Sequence, residues 1–269
     1  MSEVVTLKAP EEVATMRAAG RVVAEMLRAC AAAARPGSTT ADLDRLAAEV
    51  LRRRGATSSF LGYYGYPATI CTSVNQEIVH GIPGKRRLRE GDIVGIDAGA
   101  IVDGWHADAA ITVPVGRVSP EVERLIATAR EALRRGIAAA RVGGRLGDIG
   151  AAVQSYVEGE GFSVVRNYVG HGIGRRMHES PQVPNYGRPG QGRPISDGLC
   201  IAIEPMVNAG GPETRLLEDR WTVVTADGRL SAHFEHTVAC TTEGPLVLTA
   251  DDDLDGAQAR AGARAAAAR

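Results

Sequence analysis

"GDIVGIDAGAIVDGWHADAAITVPV", residues 91–115, decides the fold. Two strand-like runs, 92–102 and 105–115, flank Asp103-Gly104, a dipeptide suited to a two-residue hairpin turn because both residues tolerate positive φ. With that pair as the loop, position 97 lies opposite 110, and Asp108 lies diagonal to Asp97 on the same face. Asp97 also interrupts an apolar run, where a carboxylate is costly unless it is paired or bound to a cation. Taken singly, either residue could be an edge-strand aspartate facing water. Two on one face of a hairpin point to metal ligation.

Helices are expected on both sides of this hairpin. "PEEVATMRAAGRVVAEMLRACAAAARPG" (10–37) has Val13, Met16, Val23, Met26, Leu27 and Cys30 at helical spacing, with Pro10 in the first turn and Pro36-Gly37 as the stop. "TTADLDRLAAEVLRRRG" (39–55) reads as a second helix, with Thr40 as N-cap and Gly55 past its end. The order recurs after the hairpin. "SPEVERLIATAREALRRGIAAARVGG" (119–144) is opened by Pro120 and broken by Gly143-Gly144, and "RLGDIGAAVQSYVEGEG" (145–161) follows. This recurrence predicts an internal duplication, roughly 9–114 and 119–240, within one domain over 1–252. The remaining strand-like runs are 68–74, 162–169, 199–207, 221–225 and 229–241, and Asp227-Gly228 is a second hairpin signal. Helices grouped apart from mainly antiparallel strands predict an α+β arrangement. Residues 253–269 are a low-complexity Ala/Arg tail.

Composition narrows the function classes. The net charge of -1 supplies no field to steer the chain toward nucleic acid or anionic membrane. No apolar run approaches the roughly 20 residues of a membrane span, and the N-terminus has no signal-peptide pattern. Cys30, Cys71, Cys200 and Cys240 are far apart, without a CxxC, and read as reduced and mostly buried thiols. A cytoplasmic protein is expected.

The second half holds matching anomalies. Glu204 sits in "LCIAIEPMV" and Glu235 in "SAHFEHTVAC", where alternation would put His233, Glu235 and Thr237 on one face. Four carboxylates embedded in separate strands need a common counter-charge, and one or two divalent cations supply it most economically. His171, in "YVGHGIGRRMHESPQVPNYG" (168–187), then reads as the lone nitrogen ligand. The set is too oxygen-rich for a typical structural zinc site and suits Mn, Fe(II) or Co. Other motifs fail: "GHGIG" lacks both the P-loop lysine and the GxGxxG spacing, "HES" is not HExxH, and there is no GxSxG elbow. Arg175-Arg176 reads as a solvated loop pair rather than a phosphate patch.

Five ordered blocks, "GYPATICTSVNQEIVHGIP", "GDIVGIDAGAIVDGWHADAA", "GHGIGRRMHESPQVPNYG", "LCIAIEPM" and "LSAHFEHTV", resemble the signature blocks of type I methionine aminopeptidases, over about residues 10–248. The resemblance implies a pita-bread fold: two pseudo-symmetric halves with antiparallel sheet around a dinuclear metal site. It implies two divalent ions, Co, Mn or Fe(II), with Zn also compatible. Asp97 would chelate one ion, His171 with Glu204 the other, and Asp108 and Glu235 would bridge them. It makes His80 and His178 substrate-binding and catalytic, gives Glu204 a role as base, and assigns Tyr63, Tyr66, Cys71 and Trp221 to a methionine side-chain pocket. The implied activity is removal of the initiator methionine from nascent proteins with a small second residue, by metal-activated water attack on the first peptide bond. N-terminal methionine peptides and nascent chains would be the partners, with a transient ribosome contact, no membrane, no specific nucleic acid and a monomeric state.

The pattern also subdivides the family. The extra N-terminal domain of prolidases is not expected here, and Glu204 and Glu235 are 31 positions apart, too close for the type II insert. His233 stands in place of an expected Gln and would add a titrating group beside Glu235. Met177 replaces an aromatic pocket residue and Ala107 a frequent Gly. A non-catalytic pita-bread binding protein is the alternative, but such relatives lose ligands and here all five are present.

Overall fold

A computed structural model, which describes residues 4–251, places the hairpin in the expected register. In the first half, α1 (Pro10–Ala33) and α2 (Thr40–Arg54) precede β1 (Thr57–Ser58), β2 (Ile70–Val74), β3 (Glu77–Val79), β4 (Ile93–Val102) and β5 (Trp105–Pro114). In the second, α3 (Pro120–Ala139) and α4 (Leu146–Gly159) precede β6 (Ser163–Val164), β7 (Gly170–Gly172), β8 (Glu179–Val183), β9 (Leu199–Ile203), β10 (Met206–Asn208), β11 (Thr214–Leu216), β12 (Val223–Thr225), β13 (Ser231–His233), β14 (Glu235–Thr241) and β15 (Gly244–Val247). The tail at 253–269 lies outside the described residues.

The helices begin where their caps dictate. The Ala9 amide donates to the Glu12 side chain at 2.9 Å, and Glu11 and Glu12 sit favourably at the positive end of α1. α2 is capped by Thr39, not Thr40: the Asp42 amide donates to Thr39 Oγ1 at 3.2 Å, and the Thr39 amide to Asp42 Oδ2 at 2.7 Å. Thr40 is the first helical residue, and its hydroxyl exchanges hydrogen bonds with the Gly84 backbone instead. Gly55 ends α2 in the left-handed conformation at φ 65°. α3 starts at Pro120 after the Ser119 cap, as read from the sequence.

Every strand pair is antiparallel. The main sheet runs β1-β4-β5-β14-β9-β7-β8, with β2 also on β4 and β15 on β14. Two three-stranded sheets, β13-β10-β6 and β11-β12-β3, complete the set. Within the hairpin, Ile96, Ala98 and Ala100 of β4 and Ala107, Ala109 and Ile111 of β5 share one core with Val23, Met26 and Leu27 of α1. Strand alternation therefore directs Asp97 and Asp108 to the other face of the sheet.

Four sequence expectations change. The run 162–169 contributes only the two residues of β6. The run 199–207 divides at Glu204-Pro205 into β9 and β10, which lie in different sheets, because proline carries no N–H for a central ladder. The run 229–241 divides likewise at Phe234, so His233 and Glu235 do not belong to one alternating strand. The Asp227-Gly228 turn joins β12 and β13, but these pair with other strands and form no hairpin. All four cysteines are free and buried, as expected. Among the described residues, no helix is long and apolar enough to cross a membrane.

Candidate metal centre

The ladder registers assemble one row of acids. Asp97 pairs with Ala110, and Ala110 pairs in turn with Glu235 on the neighbouring strand. Asp108 lies diagonal to Asp97, opposite Gly99. His236 pairs with Ile203, so Glu204 follows directly at the end of β9, and His171 lies on β7, which pairs with β9. The spatial order β4-β5-β14-β9-β7 thus delivers Asp97, Asp108, Glu235 and His171 from four strands, with Glu204 from the residue directly after the fifth, β9.

Side-chain geometry concentrates this row. His171 Nε2 is 3.9 Å from Asp108 Oδ2 and 3.7 Å from Glu204 Oε1. Ligand atoms of Asp108, His171 and Glu235 all fall within 4.8 Å of one another. His171 Nδ1 lies 2.9 Å from the Gly172 carbonyl, which can only accept. That bond fixes the proton on Nδ1 and turns the Nε2 lone pair toward the acids, the arrangement of a metal-ligating imidazole.

The electrostatics call for cations. Burial and mutual repulsion push Asp108, Glu204 and Glu235 well above the ordinary carboxylate range, and burial raises Asp97 to about 7. Asp97 Oδ1, Asp108 Oδ1 and Glu235 Oε1 are buried with no hydrogen-bond partner among the described residues. Orphaned acceptors at the meeting point of four carboxylates cost several kcal/mol in protein alone, and a bound divalent ion satisfies them. Hard oxygen donors with one imidazole fit such ions.

Around this row lies a cavity of about 430 Å³. Tyr63, Tyr66, Cys71 and Trp221 line it together with His80, His178 and all five row residues, so the structure brings together the residues to which the resemblance gave metal, catalytic or pocket roles. Phe60, Tyr64 and Met177 line it as well. Phe60 and Tyr64 sit in a loop without periodicity, and only their aromatic character could have marked them. The Tyr63 hydroxyl is 2.7 Å from His178 Nδ1, and the His178 ring stacks at a tilt over His171, centroids 4.1 Å apart. Burial lowers the His178 pKa, so a neutral ring is favoured. His80 adopts φ 61°, a conformation rare for a side-chain-bearing residue, and its ring lies 6.5 Å from Trp221. Burial, with His178 nearby, lowers its pKa to about 4. His233 differs from expectation: its Nε2 approaches Glu204 Oε2, at 3.9 Å, and burial holds its pKa at about 3, so it stays neutral rather than titrating beside Glu235.

Comparison with known proteins follows the same lines. The description "Metallopeptidase family M24" matches residues 14–242. A methionine aminopeptidase of Clostridium perfringens is 51% identical over 245 residues, 91% of this chain and 98% of that protein. Methionine aminopeptidase 1 of Bacillus subtilis is 49% identical over 242 residues, 90% and 98% respectively. A crystal structure of methionine aminopeptidase from Thermotoga maritima superimposes with a TM-score of 0.91 at 43% identity, covering 92% of this chain and all of that one.

Proposed function

The chain belongs to metallopeptidase family M24, and on that premise we propose that it is a metal-dependent methionine aminopeptidase that removes N-terminal methionine from proteins. Its fold is the pita-bread arrangement that the resemblance implied. The observation that carries the reading is the row of four acids and one imidazole drawn from four strands and the end of a fifth, with buried oxygens lacking partners. Asp97, Asp108, His171, Glu204 and Glu235 would hold two divalent ions of Co, Mn or Fe(II) type. In the duplicated plan, 9–114 would contribute both aspartates and 119–240 the other three, placing the site between the halves. When bound, the ions supply Lewis acidity: they make a water acidic enough to attack near neutral pH and polarise the carbonyl of residue one.

The chain's own groups do the rest. Glu204, at the edge of the row and lining the cavity, would accept a proton from the attacking water. His178, held at Nδ1 by the Tyr63 hydroxyl, would present Nε2–H to the developing oxyanion when the hydroxyl is the donor of that pair. His80 orients the departing amide. The methionine side chain lies against Tyr63, Tyr66, Cys71 and Trp221, where a polarisable thioether packs well on aromatic rings. Crowding at the scissile bond restricts the second residue to small side chains. The natural substrates would be chains emerging from the ribosome in the cytoplasm.

The test is release of methionine from Met-Gly-Met by the purified protein after chelation and re-addition of Mn, Fe(II) or Co. Methionine release with at least one metal is expected. No release with any of them would overturn the reading.

A further inference from the structure

Lysine is rare in this chain: Lys8 and Lys85 are its only two, against 31 basic residues in all. Lys8 is nonetheless buried, with a side chain 2% exposed, beside Glu179 at 12%. Its ammonium group spends all three donors: Glu179 Oε2 at 2.7 Å, Thr6 Oγ1 at 2.7 Å and the Thr6 carbonyl at 3.1 Å. Thr6 Oγ1 donates to Glu179 Oε2 at 2.6 Å, and the Arg176 amide donates to Glu179 Oε1 at 3.1 Å. A buried pair this completely satisfied is a specificity device more than a source of stability.

Its location gives the device a task. Glu179 is the residue after His178 and opens β8, where it pairs with Gly172, the residue after His171. The six residues between, 173–178, therefore form a loop whose closing residue is gripped by Lys8. The grip is tight: a Cβ on Gly174 would stand 2.6 Å from Lys8 Cε and 2.8 Å from Glu179 Oε1. Lys8 is anchored in turn, its amide donating to the Gly198 carbonyl at 2.7 Å, just before β9, while Leu7 bridges Leu199. The segment ahead of α1 thus ties the base of β9, which leads to Glu204, to the start of β8, directly after His178.

We propose that Lys8, acting through Glu179, is a positioning residue that sets the placement of His178 over the metal centre. This rests on the catalytic role assigned to His178 above. The Tyr63 hydroxyl fixes the ring from the cavity side, and the Lys8–Glu179 pair fixes the backbone from behind. Displacement of a catalytic group by about 1 Å can cost up to a hundredfold in rate, so loosening this anchor lowers turnover more than binding.

The experiment uses the metal-loaded protein and a Met-Ala-Ser peptide. Lys8→Met keeps the stem and removes the charge; Lys8→Met/Glu179→Gln removes both charges and relieves the stranded carboxylate. Both are expected to lose at least about tenfold in kcat, with KM and metal content within about twofold of wild type. In a His178→Ala background, Lys8→Met should cause no further loss of kcat, and its His178 imidazole NMR resonance should shift in the otherwise wild-type protein. Unchanged kcat in both variants, or an equal loss with and without His178, would overturn the proposal. An inactive wild-type enzyme would instead overturn the functional reading on which it rests.

Discussion

The Tyr63 hydroxyl lies 2.7 Å from Nδ1 of His178, a hydrogen bond that ties the imidazole to the wall of the cavity. Tyr63 therefore holds a proposed catalytic ring in place as well as lining the pocket. Tyr63→Phe keeps the aromatic ring and removes that hydrogen bond. We expect kcat to fall about two- to thirteenfold, the worth of one hydrogen bond of roughly 0.5–1.5 kcal/mol, with KM for short methionine peptides little changed. Steady-state kinetics on Met-Ala-Ser provides the check; a change confined to KM would reduce Tyr63 to a pocket residue.

Asp108 and His178 separate holding the metal from using it. Asp108 has a ligand atom within 4.8 Å of those of both His171 and Glu235. Asp108→Ala should weaken ion binding at least about a hundredfold and abolish activity with it, since even outer partners of ligands cost about 10–100-fold. His178→Ala should retain metal and lose mainly turnover. Calorimetric titration with Mn on both variants decides the assignment, and a His178→Ala protein unable to bind metal would contradict it.

Metal removal should couple stability to pH in a defined direction. Burial raises Asp97 from 3.8 to about 7, and its three carboxylate neighbours shift the same way. A folded state that binds protons more tightly than the unfolded chain is favoured at low pH, and the advantage disappears as pH rises through the folded value. The metal-free protein should melt at progressively lower temperature from about pH 5 to about pH 8, and added Mn should widen its benefit over that range as protons stop competing. Thermal melts with and without chelator measure both slopes; a gap independent of pH would disagree.

Gly20 sets helix propensity against packing. In mid-helix a change from Gly to Ala ordinarily gains up to about 1 kcal/mol. Here a Cβ would meet the Leu248 carbonyl oxygen at 2.1 Å, and a backbone atom held in the chain that follows β15 yields little. Gly20→Ala should therefore destabilise, by about 1–3 kcal/mol, read from the urea midpoint. A stabilised variant would show that α1 can shift away from that chain.

What was legible in the sequence follows the range of the forces involved. The hairpin was legible because Asp103-Gly104 fixes its register locally, and the register alone brings Asp97 and Asp108 together. The acids announced themselves as charges inside apolar runs. Breaks at Glu204-Pro205 and Phe234 were harder to see, because the strands on each side keep the apolar composition of a continuous run while joining different sheets. Thr39 rather than Thr40 caps α2 because Asp42 lies three residues beyond it, a reciprocal pair that two adjacent threonines concealed. Lys8 gave no local signal at all: its meaning depends on Glu179, 171 positions away.

A site drawn from four strands and the end of a fifth also acts as a gauge of sheet register. Side chains alternate between faces, so a slip of one residue in any of β4, β5, β14, β9 or β7 would carry its ligand to the helix-covered side. A misregistered strand would turn its apolar residues away from the helices and would leave the site with four donors or fewer. Ions that bound only the aligned arrangement would add their binding free energy to that one state and to none of its competitors. On the proposed reading, metal would thus select among near-native structures before taking part in any reaction.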